Sequence, residues 1–339
     1  MKKLLAIRCI ADHSHGYGHF SRCLAIANYF SKRDYTIFFL INDDTTMKKE
    51  LSKIKLNFFI VSKFKTIQSE GKFLKKFVIK NNISCLIIDM REFSEKLSKE
   101  ITNCSCLTVV IDDSSVCKVY SDILLNGNSI KKYHEYKLYN KKSKLLLGTK
   151  YFITNPNFST NKKTLLEIIS KKKYDVTISC GGSDINKITW KIVKQISALS
   201  NIQIHVIIGP LMKNKQNPKL KKHIKIVRFS NKIWKIFNSS DLVICTSGST
   251  LFELAIQGIP CINIAAAEHQ IPYGLEFSKS KFGIYMGYWN NLDFSKIKLI
   301  TEKLLSNSSK RKQMCSAGKR LVDGKGLERF EKLVFSMIK

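Results

Sequence analysis

Apolar residues along this chain gather in short, nearly continuous runs separated by stretches with helical spacing. Residues 4–10 form the first run, short and apolar enough for a parallel strand covered on both faces. A polar loop follows from His13 to His19, and residues 20–30 then repeat apolar positions at the spacing of an amphipathic helix. Residues 35–41 and 58–61 predict two further strands, rich in aromatic and β-branched side chains. Helical spacing over 69–81 leads into a strand over 86–89 that ends on Asp89. The run 108–111 ends in Asp112-Asp113, and 123–125 ends in Asn126. Strand and helix alternate, and polar residues collect at the carboxyl ends of the strands. That pattern predicts a doubly wound parallel sheet with its ligand crevice along that edge.

The pattern thins between 126 and 161, apart from the short run 145–147, and a lysine-rich stretch over 159–173 predicts a helix into the second half. There the rhythm restarts. Strands are expected over 174–179, 204–208, 224–227, 242–245 and 261–264, with helices over 185–199, 233–237, 250–256, 270–280, 294–305 and 309–322. An amphipathic segment over 327–338 completes the chain. The expected fold class is α/β: two doubly wound, Rossmann-like domains, residues 1–158 and 159–325, with the helix after 326 packing back on the body.

The 339 residues suffice for two domains that each bury a core, and the apolar share of 44% suits a globular chain. No apolar run approaches the ~18 residues of a membrane span. The opening MKKLLAIRCIAD is interrupted by Arg8 and reads as a first strand, not a signal peptide. The ten cysteines show no Cys-x-x-Cys, and several lie within apolar runs, a usage that suits a reducing cytoplasm. The formal charge of +32 is carried mostly by lysines in dispersed pairs and triplets. No arginine- and aromatic-rich nucleic-acid module stands out, so no specific nucleic-acid partner is expected. The positive field favours an anionic substrate and weak attraction to an anionic membrane surface. A monomer is expected.

Three glycine-marked turns carry the candidate chemistry. Gly16-Tyr17-Gly18-His19, with Arg22 three residues on, lies between the first strand and first helix. His19 there either caps or braces the loop, or presents its imidazole to a ligand. Cys180-Gly181-Gly182-Ser183-Asp184 and Thr246-Ser247-Gly248-Ser249-Thr250 also lie between a strand and a helix. Backbone N–H groups at a helix start favour anions, so each turn is either an ordinary capped turn or half of a diphosphate cradle. Glu253, one turn inside its helix, is placed for ribose hydroxyls. Neither turn matches a Walker or dinucleotide fingerprint. His13, His15 and His19 lack the carboxylate or cysteine spacing of a metal site, so no metal or other cofactor is expected. Asp112 and Asp113 read as strand-end caps.

Taken in order, Gly16-x-Gly18-His19-x-x-Arg22, Leu86-Ile87-Ile88-Asp89, Ile111-Asp112-Asp113, Asp122 through Asn126, Gly148-x-x-Tyr151, Gly181-Gly182-Ser183-Asp184 and Ser247-Gly248-Ser249-Thr250-x-x-Glu253 resemble one bacterial family. It is that of the UDP-2,4-diacetamido-2,4,6-trideoxy-sugar hydrolases of the pseudaminic acid pathway, with their spore-coat polysaccharide relatives. The chain is more distantly similar to the glycosyltransferase that makes lipid II. The resemblance implies the type B glycosyltransferase fold, two domains facing across a cleft, and metal-independent release of UDP with inversion at the anomeric carbon. It makes His19 the base that activates water. The diphosphate would be held by the turns containing Gly181, Gly182, Ser183, Ser247, Gly248, Ser249 and Thr250, the ribose by Glu253, and the uracil by main chain near Phe229. Gly16, Tyr17, Gly18, Arg22, Asp89, Arg91, Asn126, Tyr151, His269 and Gln270 are the implied substrate contacts.

Four positions depart from the family pattern. Ile10 stands where the family has Asp, Arg91 where it has Tyr, Thr154 where it has Arg, and His269-Gln270 where it has Asn-Gln. The sugar-side residues have changed while the nucleotide-side turns have not. A glycosyltransferase, with an acceptor hydroxyl in place of water, is the alternative. A polyanion-binding module is the non-enzyme alternative raised by the charge.

Overall fold

A computed structural model describes residues 3–11, 17–90, 93–102, 104–114, 118–139, 141–209, 212, 221–228 and 232–338. The chain divides into two compact units, Met1–Pro156 with Gly324–Lys339, and Asn157–Asp323. Among the described residues the first unit holds strands β1 (Lys3–Cys9), β2 (Tyr35–Ile41), β3 (Asn57–Ile60), β4 (Cys85–Asp89), β5 (Leu107–Ile111), β6 (Ile123–Asn126) and β7 (Lys144–Leu147). They pair in the order β3-β2-β1-β4-β5-β6-β7. The second unit holds β8 (Tyr174–Ser179), β9 (Ile202–Ile208), β10 (Ile224–Arg228), β11 (Leu242–Thr246), β12 (Cys261–Ala265) and β13 (Ile284–Tyr288), in the order β10-β9-β8-β11-β12-β13. The pairings in both sheets are parallel. The expected fold class is therefore present twice over.

The continuous apolar runs are explained by burial on both faces. In β1, Leu5, Ile7 and Cys9 enter one core cluster, while Ala6 enters the cluster on the opposite face. Because side chains alternate along a strand, both sets must be apolar for both faces to be covered. The C-terminal helix Gly326–Met337 lies in the first unit, where Phe330 meets Phe30 with ring centroids 5.7 Å apart. Gly326 is pressed against the backbone of Tyr151 and Phe152, so a side chain there would collide with main chain.

Each sheet has one place where strand order reverses, between β1 and β4 in the first unit and between β8 and β11 in the second. Loops leaving the carboxyl ends of two such strands diverge, which opens a crevice. Tyr17-Gly18-His19 and the two glycine-marked turns of the second unit lie at these two places.

Several elements differ from the sequence reading. The stretch 159–173 is not a helix beyond the short turn Asn157–Thr160. It runs as a strap held by tertiary bonds: Gln257 Nε2 donates to the Asn161 carbonyl, Lys163 N donates to the Gln257 carbonyl, and Lys163 Nζ reaches the Ser240 carbonyl. Helices Thr45–Lys53 and Glu95–Glu100 and strand β13 were not foreseen. The two helices are short and lysine-rich, and each starts on a side-chain cap, Asp44 or Ser94, that carries more signal than their apolar spacing. β13 is half-buried along its whole length, with glycine and tyrosine where a buried strand would have branched residues.

Candidate active site

Parallel register places the charged residues of the first unit side by side. Cys9 pairs with Asp89 and Asp89 with Ile111, so β4 ends level with the end of β1 and two residues short of Asp113. His19 and Arg22 stand three apart on helix Gly18–Phe30 and so share a face. Asp89 receives both. His19 Nδ1 lies 2.7 Å from Asp89 Oδ1, and Arg22 forks onto the same carboxylate, Nε to Oδ2 at 2.7 Å and Nη2 to Oδ1 at 2.6 Å. The Cys23 thiol adds a longer contact to Oδ2 at 3.5 Å. Arg22 then grips a second carboxylate, with Nη1 2.8 Å from Asp113 Oδ1 and Nη2 3.0 Å from Oδ2.

Asp89 has no exposed side-chain surface, against 20% for His19, 15% for Arg22 and 40% for Asp113. Burial alone would push its carboxyl up, but the adjacent guanidinium and the hydrogen bonds from Arg22 and His19 outweigh this and hold it well below the ordinary carboxylate range. An ionised carboxylate only accepts, so the short contact to His19 requires the proton on Nδ1. Arg22 Nη2, 3.2 Å from Nδ1, is then a neighbouring donor and not a partner. The neutral imidazole therefore has a defined tautomer, with its lone pair on Nε2. Asp89 is thus a positioning group with both oxygens occupied, not the substrate contact expected of it.

Other expected contacts in this unit are turned inward. Asn126 is fully buried; its amide donates to the Tyr133 carbonyl and the Tyr136 hydroxyl, and its oxygen accepts from Asn128 N. It locks the loop after β6 and is not available to a ligand. The Tyr136 hydroxyl donates to Asp112 at 2.6 Å, and Ser114 binds the same carboxylate, so Asp112 braces its turn. Asp113 differs from the expected strand-end cap because its side chain serves Arg22. The Tyr17 hydroxyl donates to Asp44, the cap of helix Thr45–Lys53, and Tyr151 packs half-buried against the core. Gly18 starts its helix with open space where a side chain would stand. Gly16 and Arg91 lie outside the described residues.

In the second unit, Gly181 has a φ of +84°, a left-handed conformation that favours glycine, and Gly181 and Gly182 are both exposed. Gly209, at the end of β9, abuts the carbonyl oxygens of both, so a side chain there would displace the turn. The Asp184 carboxylate accepts from the backbone N–H groups of Ile188 and Thr189 and caps the start of helix Ile188–Ile196. That helix starts three residues later than expected because Asp184 and Lys187 adopt positive φ.

Across the switch point, helix Ser249–Gln257 begins after Gly248 with no side-chain cap, leaving backbone N–H groups of its first turn without intrahelical partners. Ser249 is exposed and Thr250 half-buried. Ser249 and Glu253 stand four apart and share a helix face. Ser247 is the exception. It is fully buried, and its hydroxyl donates to Asn263 Oδ1 at 2.7 Å, so it ties β11 to β12 and offers nothing to a diphosphate. Gln270 also works within the fold, its Oε1 accepting from Ala266 N while its amide end borders Gly248; His269 beside it is exposed. Phe229 lies outside the described residues.

Among the described residues no cluster of three or more His, Cys, Asp or Glu side chains is arranged to hold a metal ion, and no helix is long and apolar enough to cross a membrane. Sequence reasoning missed Asp113, Gly209 and Asn263. An Arg three residues after a His, facing a carboxyl strand edge with two acidic ends, was a signal for Asp113. The other two roles depend on packing between distant segments.

Residues 171–328 match the glycosyltransferase family 28 C-terminal domain. The chain is 29% identical over 75% of its length to an uncharacterised protein of Methanocaldococcus jannaschii, and spans about half, 54%, of that relative. It is 27% identical to the UDP-2,4-diacetamido-2,4,6-trideoxy-beta-L-altropyranose hydrolase of Campylobacter jejuni, covering 70% of this chain and 82% of that one. It is 20% identical to the spore coat polysaccharide biosynthesis protein SpsG of Bacillus subtilis, covering 93% and 92%. Among solved structures, MurG of Acinetobacter baumannii superposes with a TM-score of 0.72 at 10% identity, over 99% of this chain and 100% of that one. At that identity the likeness establishes the fold, that of the type B glycosyltransferases.

Proposed function

We propose that this chain is a nucleotide-sugar hydrolase that releases UDP from a UDP-linked diacetamido-trideoxy sugar with inversion at the anomeric carbon. The observation that carries the reading is the His19–Asp89 pair, a histidine whose tautomer is fixed by a buried, ionised carboxylate clamped by Arg22. The similarity to the Campylobacter jejuni hydrolase supports this substrate class. In this reading the free Nε2 of His19 takes a proton from water as the water oxygen attacks the anomeric carbon. The bond from that carbon to the diphosphate oxygen breaks, and its electron pair leaves with UDP. Asp89 offsets the imidazolium charge that forms. The Gly181-Gly182 turn and the first turn of helix Ser249–Gln257 receive the diphosphate through backbone N–H groups and the hydroxyls of Ser249 and Thr250. Glu253 takes the ribose. Attack from the face opposite the leaving diphosphate gives inversion.

The test is acceptor-free incubation with a panel of UDP-linked acetamido sugars, reading UDP release and, by proton NMR, the anomer first formed. The proposal expects release without acceptor, an inverted anomer, and a rate unchanged by EDTA. The match of residues 171–328 to a glycosyltransferase domain supports a second reading, transfer to an acceptor hydroxyl with His19 as the same base. Release that requires an envelope-derived acceptor would establish that reading in place of hydrolysis.

A further inference from the structure

The amino edge of the second unit's sheet carries an open cavity of about 460 Å³ that the proposed chemistry does not use. It is lined by Lys281, Lys312, Gln313, Ser316, Ala317 and Arg320. The glycine-marked turns of this unit follow β8 and β11, at the carboxyl edge, whereas Lys281 precedes β13. The strands of this sheet run parallel, so the two places lie on opposite edges. They are separated by the length of a five-residue strand such as β11, about 17 Å.

Two segments build the cavity. Helix Ser308–Leu321 supplies Lys312, Ser316 and Arg320, which are spaced by four and so stack along one face, about 6 Å apart. The other wall is the turn after helix Ile271–Lys279. There Lys281 N donates to the Ser278 carbonyl and Phe282 N to the Phe277 carbonyl, with the two phenyl rings 5.9 Å apart. These are the paired bonds and the apolar contact of a Schellman ending, whose left-handed residue is usually glycine. Here it is Lys281, at a φ of +60°. The turn is pinned against the helix, because Phe282 is fully buried and a side chain at Gly318 would stand 2.6 Å from its ring. Lys281 is thus held beside Lys312 and Arg320 at a backbone cost that glycine would avoid.

Nothing among the described residues neutralises these cations. Residues 308–322 contain five cations and no acid. Lys281, Lys312 and Arg320 have no carboxylate partner there, and the side chains of Gln313 and Ser316 make no hydrogen bond. Arg311, on the same helix, shows the contrast: it is buried, with its guanidinium spent on the carbonyls of Leu304, Leu305 and Ile169. Three like charges around one cavity repel, and an anion carrying two or more charges removes that repulsion. A guanidinium fork and two ammonium groups suit phosphate oxygens.

We propose that this cavity binds a small molecule bearing a diphosphate group, at a site separate from the turns proposed to hold UDP. Lys281, Lys312 and Arg320 neutralise the diphosphate, and Gln313 and Ser316 donate to its oxygens.

Calorimetry of the full chain tests this, with UDP first titrated to one equivalent and inorganic pyrophosphate added next. One equivalent of pyrophosphate should bind, at least about tenfold more tightly than inorganic phosphate. Lys312→Gln with Arg320→Gln should weaken it at least about tenfold, the loss expected for one charge-assisted hydrogen bond, with UDP affinity and UDP release unchanged. Lys281→Gly should weaken pyrophosphate about fivefold or more and raise the melting temperature by about 2 °C, because glycine relieves the left-handed turn. Lys298→Gln with Lys303→Gln, two exposed positions of the preceding helix, is the control for bulk charge and should bind as the wild type does. ADP in place of pyrophosphate identifies the source: tighter binding assigns the group to a nucleotide, weaker binding to the free anion. A wild type that binds no pyrophosphate overturns the proposal, as does unchanged affinity in Lys281→Gly or in the Lys312 and Arg320 pair. Equal weakening by the control pair also overturns it, assigning the attraction to the overall +32 charge. Equal affinity for phosphate and pyrophosphate does the same for the diphosphate class. UDP release is read separately, so the hydrolase reading stands or falls on its own test.

Discussion

The two switch points of this molecule are built alike and furnished differently. In the first unit the crevice strands β1 and β4 lead to side chains that carry charge: His19, Arg22, Asp89 and Asp113 form a continuous ionic chain. In the second unit β8 and β11 lead to glycines, hydroxyls and helix-start N–H groups, with acidic Asp184 committed to capping its own helix. One topology thus provides two surfaces. In the proposed reading the charged constellation orients a proton acceptor, and the glycine- and hydroxyl-rich turns receive an anion that brings its own charge. The difference is in how each is held. The ionic site depends on a buried carboxylate that stays ionised, whereas the cradle depends on two backbone segments touching at Gly209.

The largest effect should come from the carboxylate. Asp89→Asn removes the charge that offsets Arg22 and sets an NH2 donor where one carboxylate oxygen accepts from His19 or Arg22, and should cost about 3–5 kcal/mol of stability, as breaking a buried pair does. Urea unfolding at pH 7 measures it. The sign of the pH dependence follows from the lowered carboxyl of Asp89. Its contribution is full above the unfolded carboxylate value of about 3.9 and is lost as pH falls below it. The gap between wild type and Asp89→Asn should therefore narrow from pH 5 towards pH 2. A constant gap would mean that Asp89 is not held ionised.

Next is the contact that shapes the cradle. Gly209→Ala should force the Gly181-Gly182 carbonyls to move, destabilise the fold by about 1–3 kcal/mol as overpacking does, and weaken UDP binding about tenfold. Gly18→Ala is the matched control in the first unit, because open space surrounds that position. Its melting temperature should stay within about 2 °C of wild type. Equal losses from the two glycines would erase the distinction between a packed turn and an open one.

How far all this was legible varies by kind of interaction. Both parallel sheets were readable, since strands buried on both faces must be continuously apolar, as 85–88 and 242–245 are. Strand β13 was not, because Tyr285, Gly287 and Tyr288 are only half-covered and leave no periodic signature. The helix expected over 159–173 failed because its polar groups bind distant carbonyls, information that spacing does not carry. Within the site, His19 stood out by its glycine-flanked turn and Arg22 by the resemblance, as a substrate contact, whereas its guanidinium grips Asp89 and Asp113. Asp113 was set aside because a strand-end carboxylate looks the same in sequence whether it caps its turn, as Asp112 does, or reaches across to an arginine. Ser247 and Ser249 sit in one hydroxyl-rich turn, and only the fold separates the buried one from the exposed one.

That pair gives the smallest predicted effects and a sharp contrast. Ser247→Ala strands the buried Asn263 oxygen and should cost about 1–3 kcal/mol of stability while leaving UDP affinity unchanged. Ser249→Ala should do the reverse, leaving the denaturation midpoint in place and weakening UDP by about two- to twelvefold, one hydrogen bond's worth. Thermal melts and calorimetry on both variants read the two quantities together.

The division of labour between the two switch points is tested most directly with His19→Ala, by measuring UDP affinity calorimetrically and UDP-sugar turnover on the same preparation. The account predicts a Kd for UDP within about twofold of wild type and turnover lowered by roughly 10²–10⁴-fold, the range for removing a general base. Turnover that survives, or a loss of UDP affinity that tracks the loss of turnover, would contradict it.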